Sequence, residues 1–292
     1  MSTRRRAWWL VGLGLLAMVA AACGSGDGPE LVSDAVTTPT TPVEPDPTTT
    51  RPQTEDEPAL TTATSIVDTS TPDFDDCTGL LPTGSIPVED YHELQLCGWP
   101  VFMHDDLYQD ELAVVVYDML AADLQTVISA VPDDAVTFLR ETNLWLELDV
   151  PAFPGGVYHP SAEWLGANGY PVEWAGGIQI GNAQNYLTWT EQQPAMVLHE
   201  LTHALHHQRY GFDDPDVLAA FDRAMGAGLY DSVEYVTGGL QIAYATTDPG
   251  EYLAELTEAY FWTNDYFPFH RAELAAHDPE GLALVEQIWQ VG

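Results

Sequence analysis

Lysine is absent from this chain of 292 residues, and its basic charge comes from only eight arginines. Against them stand 45 Asp and Glu residues, for a formal net charge of −37. A surface this negative repels polyanions, which argues against nucleic acid or anionic lipid headgroups as partners. Cysteine is scarce as well, with three in the whole chain and no CxxC pair, so dithiol redox chemistry is excluded. Large apolar residues are almost missing between residues 24 and 72, where Thr, Pro, Asp and Ser dominate. Such a segment cannot bury enough surface to fold, and it reads as an extended tether.

What is present begins with MSTRRRAWWLVGLGLLAMVAAAC. Three arginines, a short apolar run and small residues before Cys23 have the pattern of a bacterial export signal, and the run is short for a permanent membrane helix. Ala20, Ala21 and Ala22 before Cys23, with Gly24 after it, resemble a lipoprotein signal box. That resemblance implies a signal peptide over 1–22 and lipidation of Cys23. It also implies a tether over 23–73 that holds the protein on the outer face of the cell membrane. A single folded domain is then expected over 74–292. In an exported protein the remaining cysteines, Cys77 and Cys97, are expected to form a disulfide.

Within that domain, GWPVFMHDD suggests a short strand. Residues 110–131 place Leu112, Val115, Val116, Met119, Leu120, Leu124, Val127 and Ile128 at helical spacing before Pro132. A shorter helix near 134–141 and a strand at 143–149 follow. Residues 151–175 are loop-rich, and GGIQI at 176–180 is expected to be a strand, at the edge of the sheet. From 194 onward the signals are nearly all helical, with a closing helix near 278–290. A small sheet followed by a helical half is an α+β arrangement.

The chemistry concentrates in PAMVLHELTHALHHQRYG, residues 194–211, where His199, His203, His206 and His207 crowd together. His199 and His203 stand four apart and so share one face of a helix. With Glu200 between them they complete H-E-x-x-H. In that pattern two imidazoles hold zinc and the carboxylate takes a proton from a water. Met196, Val197, Leu198, Leu201, Ala204 and Leu205 mark the helix as buried, and a buried helix does not carry two histidines and a glutamate without partners. His206 and His207 fall outside the ligand set, because a third ligand two turns along a straight helix reaches the same ion poorly. A third ligand is therefore sought in DPGEYLAELTEAYFWTNDYFPF, residues 248–269, where Glu251, Glu255 and Glu258 recur among large apolar side chains. Spacing alone leaves all three open.

HELTH followed some fifty residues later by E-x-x-x-E resembles the gluzincin zinc metallopeptidases. Tyr244 seven residues before Glu251, then EYLAELTEAYF, is similar to the catalytic domain of anthrax lethal factor. The same segment resembles a group of uncharacterised secreted bacterial and fungal proteins carrying E-Y-F-A-E-L-T-E-A-Y-F. The catalytic likeness covers residues 194–270 only. It implies a zincin-like fold, with one Zn²⁺ per chain held by His199, His203 and Glu251. It further implies Glu200 as general base, Tyr244 as oxyanion stabiliser and Glu255 as the acid that orients a ligand histidine. Tyr158, His159 and Ile178 are the candidates for lining a cleft that takes a peptide or protein substrate, in a monomeric enzyme. The competing reading is a surface module without catalytic activity, either a binding protein or an inactive peptidase scaffold with a metal site.

Overall fold

The structure, a computed structural model, describes residues 77–82 and 85–291. The expected signal peptide, Cys23 and the tether lie outside the described residues. Cys77 and Cys97 are joined by a disulfide.

The sheet starts with strands β1 (Ile86–Val88), β2 (Tyr91–Leu96) and β3 (Trp99–His104), joined as antiparallel neighbours. The β2–β3 connection is the two-residue turn Cys97-Gly98, both at positive φ. That conformation matches the twist of the two strands and suits glycine at its second position. Three helices follow: α1 (Asp105–Tyr108), α2 (Leu112–Ala130) and α3 (Asp133–Leu139). Pro132 separates the last two, as the sequence indicated. The long helix α2 is apolar enough to cross a membrane by length and composition. Here it is a core helix, with Val116, Tyr117, Leu120, Leu124 and Val127 buried.

Strand β4 (Leu144–Leu146) pairs in parallel with β3. The region expected to be loop-rich contains strand β5 (Gly156–Tyr158) and helix α4 (Ala162–Ala167). Strand β6 (Ile178–Ile180) then enters between β4 and β5, giving the order β1-β2-β3-β4-β6-β5. This corrects one expectation. GGIQI supplies an internal strand, and the edge belongs to β5, which runs antiparallel to β6.

Side chains alternate across this sheet. Val101, Met103, Leu144, Leu146, Ile178 and Ile180 face the main core, while Trp145 and Val157 face a smaller aromatic cluster with Phe153 and Trp174. Each fully buried aliphatic side chain in that core contributes roughly 1.5–3 kcal/mol. The remaining helices are α5 (Ala183–Trp189), α6 (Met196–Leu205), α7 (Pro215–Gly226), α8 (Pro249–Phe261), α9 (Arg271–His277) and α10 (Pro279–Ile288). A small hairpin of β7 (Val233–Glu234) and β8 (Leu240–Gln241) interrupts them. Helix α6 packs against β5 on one side and α8 on another, so the functional residues of all three elements converge.

Candidate metal centre

The HELTH segment lies on α6, whose interior positions from Val197 to Leu205 are all buried. Helix α8 is started by Asp248, whose carboxylate accepts hydrogen bonds from the backbone N–H of Gly250 at 2.8 Å and of Glu251 at 3.0 Å. Pro249 at the first helical position fits the same start. Glu251 is thereby fixed in the first turn of α8, facing α6.

Between the two helices the groups meet. Glu251 Oε2 stands 2.8 Å from His199 Nε2 and 3.3 Å from His203 Nε2. Ligand atoms held 2.0–2.1 Å from a tetrahedral ion are roughly 3.3 Å apart, so this spacing suits a small divalent ion. His203 Nδ1 is buried and has no hydrogen-bond partner among the described residues. Two buried imidazoles and a buried carboxylate whose ligand atoms stand this close form a group that could bind a metal ion.

Each member has a neighbour. Tyr244, in a 3₁₀ turn just before α8, donates its hydroxyl to Glu251 Oε1 at 3.1 Å. Glu200 Oε2 accepts the backbone N–H of Tyr158, on the edge strand, at 2.8 Å. The remaining ring nitrogen of His199, Nδ1, lies 2.6 Å from Glu258 Oε1. The resemblance assigned that last role to Glu255. The structure gives the hydrogen bond to Glu258, and Glu255 keeps a buried Oε2 without a hydrogen-bond partner among the described residues.

The electrostatics follow from this packing. Burial disfavours charge on His199, yet its bonds to Glu251 and Glu258 hold its pKa well above the ordinary histidine value. Burial likewise opposes charge on His203, and Glu251 outweighs it to raise the pKa. Glu251 is buried too, but the two histidines pull its pKa far below the usual carboxylate range. Glu200 is raised by burial, partly offset by His199 and His203. Tyr244 is held above the phenol value by burial and by the Glu251 charge.

The other candidates fall in different places. Tyr158 reaches the centre through its backbone, while its hydroxyl stands 2.8 Å from His207 Nδ1. His159, the next residue, turns to the opposite sheet face, where it bonds Gln179 at 3.0 Å and stacks on Trp174. Ile178 is buried in the main core. His159 and Ile178 therefore do not line the centre. His206 is fully buried against Phe212, with a pKa lowered to about 4 by burial and by His203. Sequence reasoning missed Gly156. A side chain there would meet Met196 Sδ at 3.0 Å and Glu200 Cγ at 3.1 Å. The pair Gly155-Gly156 was the visible signal of a close approach.

No protein-family profile, characterised protein or solved structure matches this chain.

Proposed function

We propose that this chain is a zinc-dependent metallopeptidase of zincin-like fold, exported and held on the outer face of the cell membrane through a lipid on Cys23. The observation that carries the reading is the convergence of His199, His203 and Glu251, with Glu200 beside them and restrained by the edge strand. A structural zinc site closes its shell, commonly with cysteines, and has no use for an adjacent carboxylate. Here both cysteines of the described residues are consumed in the disulfide.

His199, His203 and Glu251 would hold the ion through Nε2, Nε2 and a carboxylate oxygen. Bound there, zinc supplies a Lewis acid that acidifies a water and polarises a peptide carbonyl. Glu200 receives the proton of the attacking water on its carboxylate and passes it to the leaving amine. Burial that raises its pKa brings it closer to the operating range of a general base. The Tyr244 hydroxyl exchanges its bond with Glu251 for one to the carbonyl oxygen as negative charge grows there. Glu258 keeps the His199 ring oriented, with its proton on Nδ1.

Substrate would add along β5. Gly155 and His159 hydrogen-bond inward to the β6 side, so alternation turns the backbone groups of Gly156 outward, next to Glu200. An extended peptide pairing there would bring its backbone beside Glu200, the usual logic of strand addition to a sheet edge. A monomer acting on a peptide or protein substrate meets these requirements.

The test is zinc content and hydrolysis of a peptide mixture by the full chain, wild type beside Glu200→Gln. One zinc per chain in both, with cleavage lost by at least about 10²-fold in the variant, is the expected result. Zinc without cleavage in the wild type would favour an inactive scaffold or binding module, and no zinc would sink the peptidase and leave a surface module.

A further inference from the structure

Exposed apolar side chains gather on the β7–β8 hairpin, just ahead of Tyr244 in the chain. Leu240 and Ile242 are 72% and 67% exposed, more than any other large hydrophobic of the described residues except Leu80. Val236, also exposed, joins them from the other arm of the hairpin. Single hydrophobics scattered over a surface are ordinary, whereas three on one hairpin form a patch. Residues 235–247 carry no charged side chain, in a chain with 45 acidic residues.

Backbone hydrogen bonds fix the hairpin from both arms. The Val236 N–H donates to the Asp265 carbonyl and the Phe267 N–H to that of Glu234, each at 2.8 Å, and the Ala243 N–H donates to Tyr230 at 3.0 Å. The strand pairing sets the direction of the side chains. Gln241 lies opposite the buried Val233, and Leu240 opposite the exposed Glu234. Cross-strand partners share a face, so Leu240 and Ile242 point outward, while Ala243 is buried on the inner side. Ala243 has extended backbone, which carries the alternation one step further and puts Tyr244 on the side of Ile242. The Tyr244 hydroxyl bonds Glu251 at 3.1 Å, and its ring lies 6.3 Å from that of His199. Leu240, Ile242 and Tyr244 thus form a ridge that leads from solvent to the metal centre.

We propose that this ridge binds a large apolar side chain of an extended peptide, next to the peptide bond held at the metal centre. The inference rests on the peptidase reading and gives it a substrate class: peptides with leucine, phenylalanine or a similar residue beside the cleaved bond. Leu240 and Ile242 are then specificity-determining residues. Continuity selects the occupant. Ile242 precedes Tyr244 by two residues on the same side, so whatever meets the Tyr244 hydroxyl has the ridge beside it. Charge argues against other occupants. A second copy would bring together two chains of net charge −37, and an anionic membrane surface would repel the protein. A neutral apolar side chain is buried there without electrostatic cost.

The experiment uses the full chain loaded with zinc and carrying Glu200→Gln, so that bound peptide is not consumed. Calorimetry compares capped, uncharged peptides of alanine and glycine that hold one central Leu, Phe or Gly. The expected result is binding about tenfold or more tighter for Leu or Phe than for Gly. Leu240→Ser combined with Ile242→Ser removes that difference and leaves the zinc in place. Val114→Ser, at an exposed apolar position on α2, preserves it. Equal binding of all three peptides, or none, overturns the proposal, as does a preference that survives the ridge variant. So does a dimer, seen by sedimentation, that the ridge variant dissociates, because the ridge then serves a second copy. Wild type on a peptide mixture separates this proposal from the peptidase reading. Cleavage with no preference for large apolar residues keeps that reading and overturns this one. Apolar preference in binding with no cleavage does the reverse.

Discussion

His199 presents Nδ1 to Glu258 Oε1 at 2.6 Å while its Nε2 faces Glu251. One imidazole thus bridges two carboxylates seven residues apart on the same helix. The charge of Glu258 keeps the ring proton on Nδ1 and leaves the Nε2 lone pair for a metal. Glu258→Gln retains the shape and loses the charge. Zinc affinity is expected to fall about 10–100-fold, measured by competition with a chelating dye. An unchanged affinity would show that the bond does not orient the ligand.

Tyr244 differs from Glu258 in that its hydroxyl touches a ligand without being needed to hold the ion. Tyr244→Phe is expected to leave zinc content intact and to lower kcat about 10²–10³-fold, with KM nearly constant. A fall in zinc occupancy instead would make the hydroxyl a support for Glu251.

Gly156 is the point where the edge strand comes closest to the general base. A methyl group there presses on Glu200 Cγ at 3.1 Å and Met196 Sδ at 3.0 Å, both on α6. Gly156→Ala is expected to cut kcat/KM by about tenfold or more with zinc retained, since small misplacements of a catalytic group are costly. Full activity in that variant would show that the close approach of Gly156 does not position Glu200.

Asp123 offers a pH test far from the metal. It is buried on α2, accepts the Tyr186 hydroxyl at 2.6 Å, and has a pKa raised by burial to about 6. A raised carboxyl binds its proton more tightly when folded, so its contribution is largest below the unfolded value and is lost as pH rises through the folded value. Across roughly pH 4 to pH 6 that loss is on the order of 2–3 kcal/mol. Asp123→Asn cannot titrate, so its unfolding free energy in urea falls less than that of wild type as pH rises from 5 to 7. Parallel curves for the two proteins would refute the assignment.

Much of the molecule was legible in the chain because the signals are local. The run from Leu112 to Ile128 declares its helix by periodicity, and Pro132 its end. His199 and His203 share a face because helical geometry alone puts residues four apart together. Asp248-Pro249 announces the start of α8, which places Glu251 in its first turn. The Cys97-Gly98 turn was equally local and was overlooked, and with it the first two strands.

Other features depend on non-local packing, which no spacing encodes. Whether Glu255 or Glu258 reaches His199 depends on how α8 is rotated against α6, because both lie on the buried side of the same helix. Which strand forms the edge depends on the order of insertion. The strand at Ile178–Ile180 follows β5 in sequence yet enters the sheet inside it, between β4 and β5. His159 shows the same limit. Period-two alternation sends it to the opposite sheet face from Tyr158, but only the placement of α6 decides which face carries the metal centre. The residue types and helical phase of the chemistry were thus determined by the sequence itself. The partners were decided by tertiary structure, because a hydrogen bond across two helices requires both to be docked before either side chain has a direction.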